Sequence, residues 1–153
     1  MTNVYRLVGA ERADEVLSGE GARLYGGRWN PVGTAVVYAS ESRALAVLET
    51  FVHLTLEAQS MSFLLFTLAL PPRVRLQRHG GPQARAPRSL GASQGAGRAW
   101  LAEGATLALV VPSVIVPQEA NYVLNAEHAL FTRVRVVNAE PFSFDERLWR
   151  QRA

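Results

Sequence analysis

The chain has 153 residues, no cysteine and a formal net charge of +3, and all 16 of its lysine-plus-arginine residues are arginine. The missing cysteines exclude disulfides, zinc–thiolate sites and cysteine nucleophiles, and the missing lysines exclude a Walker-type phosphate loop and a lysine Schiff base. The length predicts a single domain over residues 1–153, and the polar first residues and short apolar runs predict a cytoplasmic protein without a signal peptide or membrane contact.

The N-terminal half alternates strand patterns with helical ones. The predicted elements are strands over residues 3–8, 35–39 and 62–70, a helical turn around residues 13–17 and a helix over residues 41–56. Ser40 is the predicted N-cap of that helix. Its predicted apolar face carries Leu45, Leu48, Val52 and Leu56.

The C-terminal half begins with residues 77–97, which are rich in Gly, Pro, Ser, Ala and Arg and show no period. This composition predicts a surface loop. The remaining predicted elements are strands over residues 74–76, 106–112, 113–116 and 133–137 and helices over residues 98–103 and 144–152. Strands and helices interleave without a regular βαβ rhythm, so the predicted class is α+β with a mixed sheet core and flanking helices.

Residues 23–40, RLYGGRWNPVGTAVVYAS, combine a glycine turn with an arginine, a tryptophan and a following strand. Backbone at a Gly-Gly pair can approach a ligand closely, and a guanidinium can bind a phosphate through two parallel hydrogen bonds. Arg28 is therefore a candidate anion-binding residue. The alternative is an exposed arginine in a tight turn with Trp29 in the core.

Glu49 and Tyr38 are the next candidates. Glu49 borders the apolar face of the predicted helix, where an unpaired carboxylate costs free energy. It is either functional or turned outward to solvent. Tyr38 ends a strand just before this helix, so Tyr38, Ser40 and the next turns of the helix are expected at one cleft, although tyrosine in a strand commonly serves packing alone.

Further polar side chains cluster later in the chain. Ser113 follows Val-Val-Pro, outside any G-x-S-x-G elbow, so a serine-hydrolase nucleophile is not predicted. Asn121, Asn125 and His128 lie in one segment. The three histidines lack metal-ligand spacing, and no metal site is predicted.

Five motifs in order resemble the RES domain, a bacterial toxin family whose name derives from an Arg, a Glu and a Ser. They read GGRWNPVG, VVYAS, ALAVLET, VVPS and NYVLNAEH. The resemblance covers residues 5–131, with Ala126 at a position where the family pattern has proline. It implies a fold like that of ADP-ribosyltransferases, NAD+ as substrate and no cofactor.

Carried over by position, Arg28, Glu49 and Ser113 form the naming trio, with Tyr38 beside them. The resemblance implies that Glu49 stabilises an oxocarbenium-like ribose, that Arg28 holds the pyrophosphate, and that Tyr38 stacks on nicotinamide. Ser113 would orient Arg28 or the ribose. The two asparagines that complete the implied NAD+ site are Asn121 and Asn125.

The implied function is a toxin that depletes NAD+ by hydrolysis or phosphorolysis. An alternative is transfer of ADP-ribose to a host protein. Another is an arginine-rich nucleic-acid-binding module, which the small net charge and the lack of interleaved aromatic residues disfavour. The implied partner is an Xre-like helix-turn-helix antitoxin that blocks the active site, and any DNA binding would belong to that partner.

Overall fold

The computed structural model describes residues 2–150. Within this range the chain forms one seven-stranded sheet with helices beside it. The strands are β1 (Asn3–Gly9), β2 (Val36–Ser40), β3 (Phe63–Ala69), β4 (Leu76–Arg78), β5 (Ala108–Pro112), β6 (Ala120–Asn125) and β7 (Arg135–Phe142). The α-helices are α1 (Glu20–Tyr25), α2 (Arg43–Phe51), α3 (Leu90–Glu103) and α4 (Glu146–Arg150), and shorter 3₁₀ helices cover Ala10–Glu15, Leu56–Ser60 and Ala129–Arg133.

The sheet has the strand order β4-β5-β6-β2-β1-β3-β7. Its neighbours are antiparallel except for β4 and β5, which are parallel. β1 pairs with β3 from Asn3 to Gly9, but it pairs with β2 at the single position Tyr5↔Ser40. β1 and β2 therefore share little backbone pairing in the middle of the sheet.

Three clusters of buried apolar residues form the core around the sheet. One contains Val4, Val37, Leu68 and Leu124 from the central strands. A second lies around Phe51, Phe63 and Trp149, and a third around Trp29 and Trp100. Since burial of apolar surface is the main favourable term in folding, the two tryptophans of the third cluster fix the glycine loop against the sheet.

The predicted α+β class with a mixed sheet and flanking helices is confirmed. The predicted strands at residues 3–8, 35–39, 62–70 and 106–112 match β1, β2, β3 and β5 with small shifts at their ends. The predicted strands at 74–76 and 133–137 correspond to β4 and β7, displaced toward the C-terminus. The helical turn expected near residues 13–17 is the 3₁₀ helix Ala10–Glu15.

The predicted start and buried face of the second helix are wrong. Ser42 caps α2, because its hydroxyl accepts a hydrogen bond from the Leu45 amide at 3.1 Å, whereas Ser40 is the last residue of β2. The helix also ends at Phe51. Its buried residues are Leu45, Ala46 and Phe51, whereas the predicted face residues Leu48, Val52 and Leu56 are exposed.

The predicted surface loop 77–97 is too long. Helix α3 begins at Leu90, eight residues before the predicted start at residue 98, with the Ser89 hydroxyl accepting from the Ala92 amide. The glycines of α3 lower its helix propensity, and for this reason the sequence of its first two turns did not predict a helix. One of them is required by packing, since a Cβ at Gly97 would lie 1.5 Å from the Trp29 carbonyl oxygen.

The remaining differences lie in short segments. Residues 113–116 form an irregular bend instead of a strand, while α1 and β6 were not predicted. The predicted terminal helix over residues 144–152 is α4 within the described range, and residues 151–152 lie outside it. In the part of the chain that the structure describes, no helix has the length and apolarity needed to cross a membrane.

Candidate active site

A cleft of about 570 Å³ lies beside the poorly paired strands β1 and β2. Both strands line it, together with the glycine loop after α1, the face of α2 and the start of β6. The polar side chains that line it include Arg6, Arg28, Tyr38, Glu49 and Asn121. Arginine, carboxylate, phenol and amide groups from five separate parts of the chain therefore share one cavity.

The glycine loop holds Arg28 at the cleft by burying its neighbour. Trp29 is 2% exposed and packs with Trp100, and its ring makes an edge contact with His79 at 4.9 Å between centroids. Arg28 itself is exposed. Because the tryptophan anchors the loop in the core, the adjacent arginine is fixed at the entrance while its guanidinium remains available.

Hydrogen bonds complete the anchoring of this loop. The Tyr38 hydroxyl donates to Asn30 Oδ1 at 2.6 Å and accepts from the Trp29 amide at 3.0 Å. Gln94 of α3 donates to the Gly27 carbonyl at 2.9 Å. A Cβ on Gly27 would lie 2.7 Å from the Tyr38 hydroxyl oxygen, so only glycine allows this approach.

The Tyr38 hydroxyl is occupied by these structural contacts. Burial raises the pKa of Tyr38 to about 12, against smaller lowering effects from the Trp29 and Asn30 hydrogen bonds and from the charge of Arg28. The phenol is therefore protonated at neutral pH and does not act as a general base.

Glu49 is held by neutral donors. Its Oε2 accepts a hydrogen bond from the Asn121 side-chain amide and another from the Ser113 hydroxyl at 3.3 Å. The Ser40 hydroxyl donates at 2.6 Å to Asn121 Oδ1 and so orients that amide. Within residues 2–150 Glu49 forms no salt bridge, and no hydrogen bond involves its Oε1.

This arrangement orients the carboxylate without pairing it with a cation. Neutral donors orient the group without an arginine that would neutralise it, and one oxygen is left for a ligand. A cavity that carries a fixed carboxylate on one wall and a guanidinium on another can hold a ligand with an anionic part and a part that becomes cationic.

Residues 3–145 match the model of the RES domain family. The chain belongs to the RES domain family. The relatives of this RES domain include the Prs ADP-ribosylating toxin of Sphingobium sp. (strain YBL2), which is 34% identical over 98% of both chains. They also include Toxin Res of Yersinia enterocolitica, which is 36% identical over 95% of this chain and 98% of the relative. The chain is thus a toxin of the RES type.

The fold of this RES domain is also found in a solved structure. The crystal structure of the MbcT–MbcA toxin–antitoxin complex from M. tuberculosis superposes with a TM-score of 0.75. That likeness covers 99% of this chain and 88% of the other, at 20% sequence identity. The comparison establishes a shared fold.

The structure brings four of the six predicted site residues of the RES domain to the cleft. Arg28, Tyr38, Glu49 and Asn121 line it. The Asn121 side-chain amide donates to the Glu49 carboxylate, whereas the resemblance implied that Asn121 binds NAD+.

The side chains of Ser113 and Asn125 do not line the cleft. Ser113 is fully buried, and its hydroxyl accepts from the Ile115 and Val116 amides while donating to Glu49, so it orients Glu49 rather than Arg28 or a ribose. Asn125 is 5% exposed at the far end of β6, where its Oδ1 accepts from the Glu127 amide at 2.9 Å. It does not line the cleft.

One residue that lines the cleft of the RES domain, Arg6, was missed by the sequence analysis, and the contact of a second, Ser40, was not predicted. Arg6 lies in the apolar strand β1, where a charged residue among Val4, Leu7 and Val8 was the available signal. Ser40 was predicted to lie near the cleft as a helix cap; it lines the cleft as the last residue of β2, and its contact with Asn121 depends on the pairing of β2 with β6.

Proposed function

We propose that this RES domain cleaves the bond between nicotinamide and ribose in NAD+, and that it does so as the toxin of a toxin–antitoxin pair. The observation that carries the proposal is the Glu49 carboxylate, which neutral donors hold at the cleft with Oε1 free. A fixed anion of this kind stabilises positive charge that develops on a substrate.

The chemistry needs such an anion. When the bond breaks, its electron pair moves to the pyridinium nitrogen and releases neutral nicotinamide, while the ribose becomes oxocarbenium-like. Glu49 Oε1 stabilises this cation or accepts a hydrogen bond from a ribose hydroxyl. Attack by water then yields ADP-ribose and one proton, so that NAD+ and water give nicotinamide, ADP-ribose and H+. No cofactor is needed, because NAD+ is the substrate.

The other cleft residues bind and orient the substrate. Arg28 is exposed at the entrance and carries the planar donor set that matches two oxygens of a pyrophosphate. The ring of Tyr38 lines the cleft and is rigid, because its hydroxyl is bonded at 2.6 Å to Asn30, and so it offers a stacking surface for nicotinamide. Asn121 and Ser113 keep Glu49 in place.

The acceptor of the ADP-ribosyl group defines the second candidate. The same site would transfer ADP-ribose to a protein, or to phosphate, if that nucleophile replaced water. The name of the 34% identical relative from Sphingobium, a Prs ADP-ribosylating toxin, favours a protein acceptor. We place depletion of NAD+ first, because transfer to a protein needs the same site and, in addition, a surface that docks the acceptor.

A toxin that consumes NAD+ in the cytoplasm requires a neutralising partner. The toxin–antitoxin complex formed by the structural neighbour from M. tuberculosis supports an antitoxin here. We propose that this antitoxin is a helix-turn-helix protein of the Xre type, and that it covers the cleft between Arg28 and Glu49.

The decisive experiment incubates the purified protein with NAD+ in the presence and absence of phosphate and of cell lysate, and identifies the products by mass spectrometry. Glu49→Gln keeps size and hydrogen bonding but removes the charge, so cleavage should fall on the order of 10²–10³-fold. Glu57→Gln, at an exposed glutamate outside the cleft, is the matched control. If wild-type protein leaves NAD+ intact under every condition, the proposed function is wrong.

A further inference from the structure

Strand β7 forms one edge of the sheet and, with eight residues, is its longest strand. It pairs with β3 on one side, and within residues 2–150 no strand pairs with its other side. Seven of its residues are exposed, among them Val136 at 43% and Val137 at 55%. The opposite edge, β4, has only three residues. A long edge strand presents unpaired backbone groups to a further strand, whereas a short one does not.

The side chains of β7 do not alternate regularly between the two faces of the sheet. Its register with β3 skips Val137, so that the strand contains one extra residue. Directly paired residues point to the same face, and successive side chains point to opposite faces. Because of the extra residue, Arg135 and Glu140 lie on one face although they are an odd number of positions apart, and Val136 and Ala139 lie on the other.

This pattern is complementary to itself. In an antiparallel pair of β7 strands related by a two-fold axis, the two copies share both faces of the sheet, so opposed residues must come from the same face. The register that opposes Val136 to Ala139 of the second copy meets this condition on both sides of the extra residue. The same register opposes Arg135 to Glu140, and the symmetry repeats that pair of opposite charges.

Both charges are available for such a pair. Arg135 forms no salt bridge within residues 2–150, and its Nη1 donates to the Thr132 carbonyl at 2.8 Å. The ionic contact of Glu140 is with Arg43 at the long distance of 4.0 Å, and both side chains are about half exposed. An exposed pair of this kind contributes little, so Glu140 can accept a second arginine.

We propose that β7 pairs with β7 of a second copy, so that the chain forms a homodimer with one continuous sheet. A bulge and a proline both resist the addition of a regular strand, and Pro141 has no amide to donate. A second copy carries the same irregularity at the matching place, where Val137 and Asn138 of the two copies face each other. No residue of β7 lines the cleft, so the dimer leaves both clefts open and does not depend on the reaction within them.

The test is sedimentation equilibrium of the full chain from micromolar to millimolar concentration, with the melting temperature of each variant as the check on folding. The wild type should form a reversible dimer. Arg135→Glu and Glu140→Arg should each raise the dimer Kd about 10-fold or more, because both symmetric pairs then bring like charges together. The double variant exchanges the two charges and should restore association. Arg98→Glu, at an exposed arginine on α3, is the control for net charge.

The exchange of charges tests the register as well as the partner. Wild-type protein that stays monomeric up to millimolar concentration overturns the inference, and so does a double variant that associates no better than the single variants.

A second measurement needs no variant. Amide hydrogen exchange in β7 of the wild-type protein should slow as the protein concentration rises, while exchange in β4, the other edge, stays the same. If β7 exchange is independent of concentration and slows only when the antitoxin is added, the edge belongs to the antitoxin and the homodimer is refuted.

Discussion

Replacing Asn121 by alanine removes the amide that bonds to Glu49 Oε2 and the acceptor of the Ser40 hydroxyl. The carboxylate then keeps one side-chain donor, the Ser113 hydroxyl at 3.3 Å. A hydrogen bond to a charged group contributes about 1.5–3 kcal/mol. If that energy orients Glu49 in the transition state, kcat should fall about 10- to 100-fold.

The steady-state constants distinguish two roles of Asn121. If its amide positions Glu49, the variant loses kcat while KM changes little. If the amide binds NAD+ as the sequence predicts, KM rises instead. Ser40→Ala acts one bond further away and should cost about 2- to 10-fold, the range of a neutral hydrogen bond.

The assay is release of nicotinamide from NAD+, measured together with the melting temperature of each variant. Asn138→Ala, at an exposed asparagine on β7 outside the cleft, is the control. Wild-type kcat and KM in a folded Asn121→Ala protein would refute the view that the bond from Asn121 holds Glu49 for catalysis.

Three further predictions concern the loop, its packing and its titration. Arg28→Ala should raise KM for NAD+ and weaken antitoxin binding, and Arg28→Lys should restore both poorly because lysine lacks the planar donor set of arginine. Glu49→Gln should leave antitoxin binding unchanged. Equal antitoxin affinities of these variants in a pull-down series would contradict a partner that covers the cleft. Gly97→Ala should lower the melting temperature strongly, since its Cβ would overlap the Trp29 carbonyl. A denaturation curve like that of the wild type would show that α3 and the glycine loop can move apart at little cost in free energy. The pKa of Tyr38 is about 12 when folded against 10.0 for the free side chain, so the unfolded chain binds fewer protons above pH 10 and stability should fall between pH 10 and pH 12. Tyr38→Phe should lack that fall, and chemical denaturation of both proteins across this pH range measures it.

The sequence alone predicted which residues line the cleft better than it predicted the contacts that those residues make. The order of the motifs placed Arg28, Tyr38 and Glu49 at one site, and the structure places all three at the same cavity. The main strands were also predictable, because β1, β3 and β5 carry local apolar runs. These features depend on neighbouring residues, which a linear pattern records.

The remaining features depend on contacts between distant segments. Ser113 lies 64 residues from Glu49 and meets it only when β5 ends beside α2. In the sequence Gly97 looks like a residue that breaks a helix. In the structure Trp29 occupies the space where a side chain at this position would lie. Arg6 looks like one polar residue in an apolar strand, and its Nη1 donates to the Tyr38 carbonyl because β1 and β2 pair at one position and then cease to pair. A charge acquires its role from the groups that surround it, and in this protein those groups come from other strands.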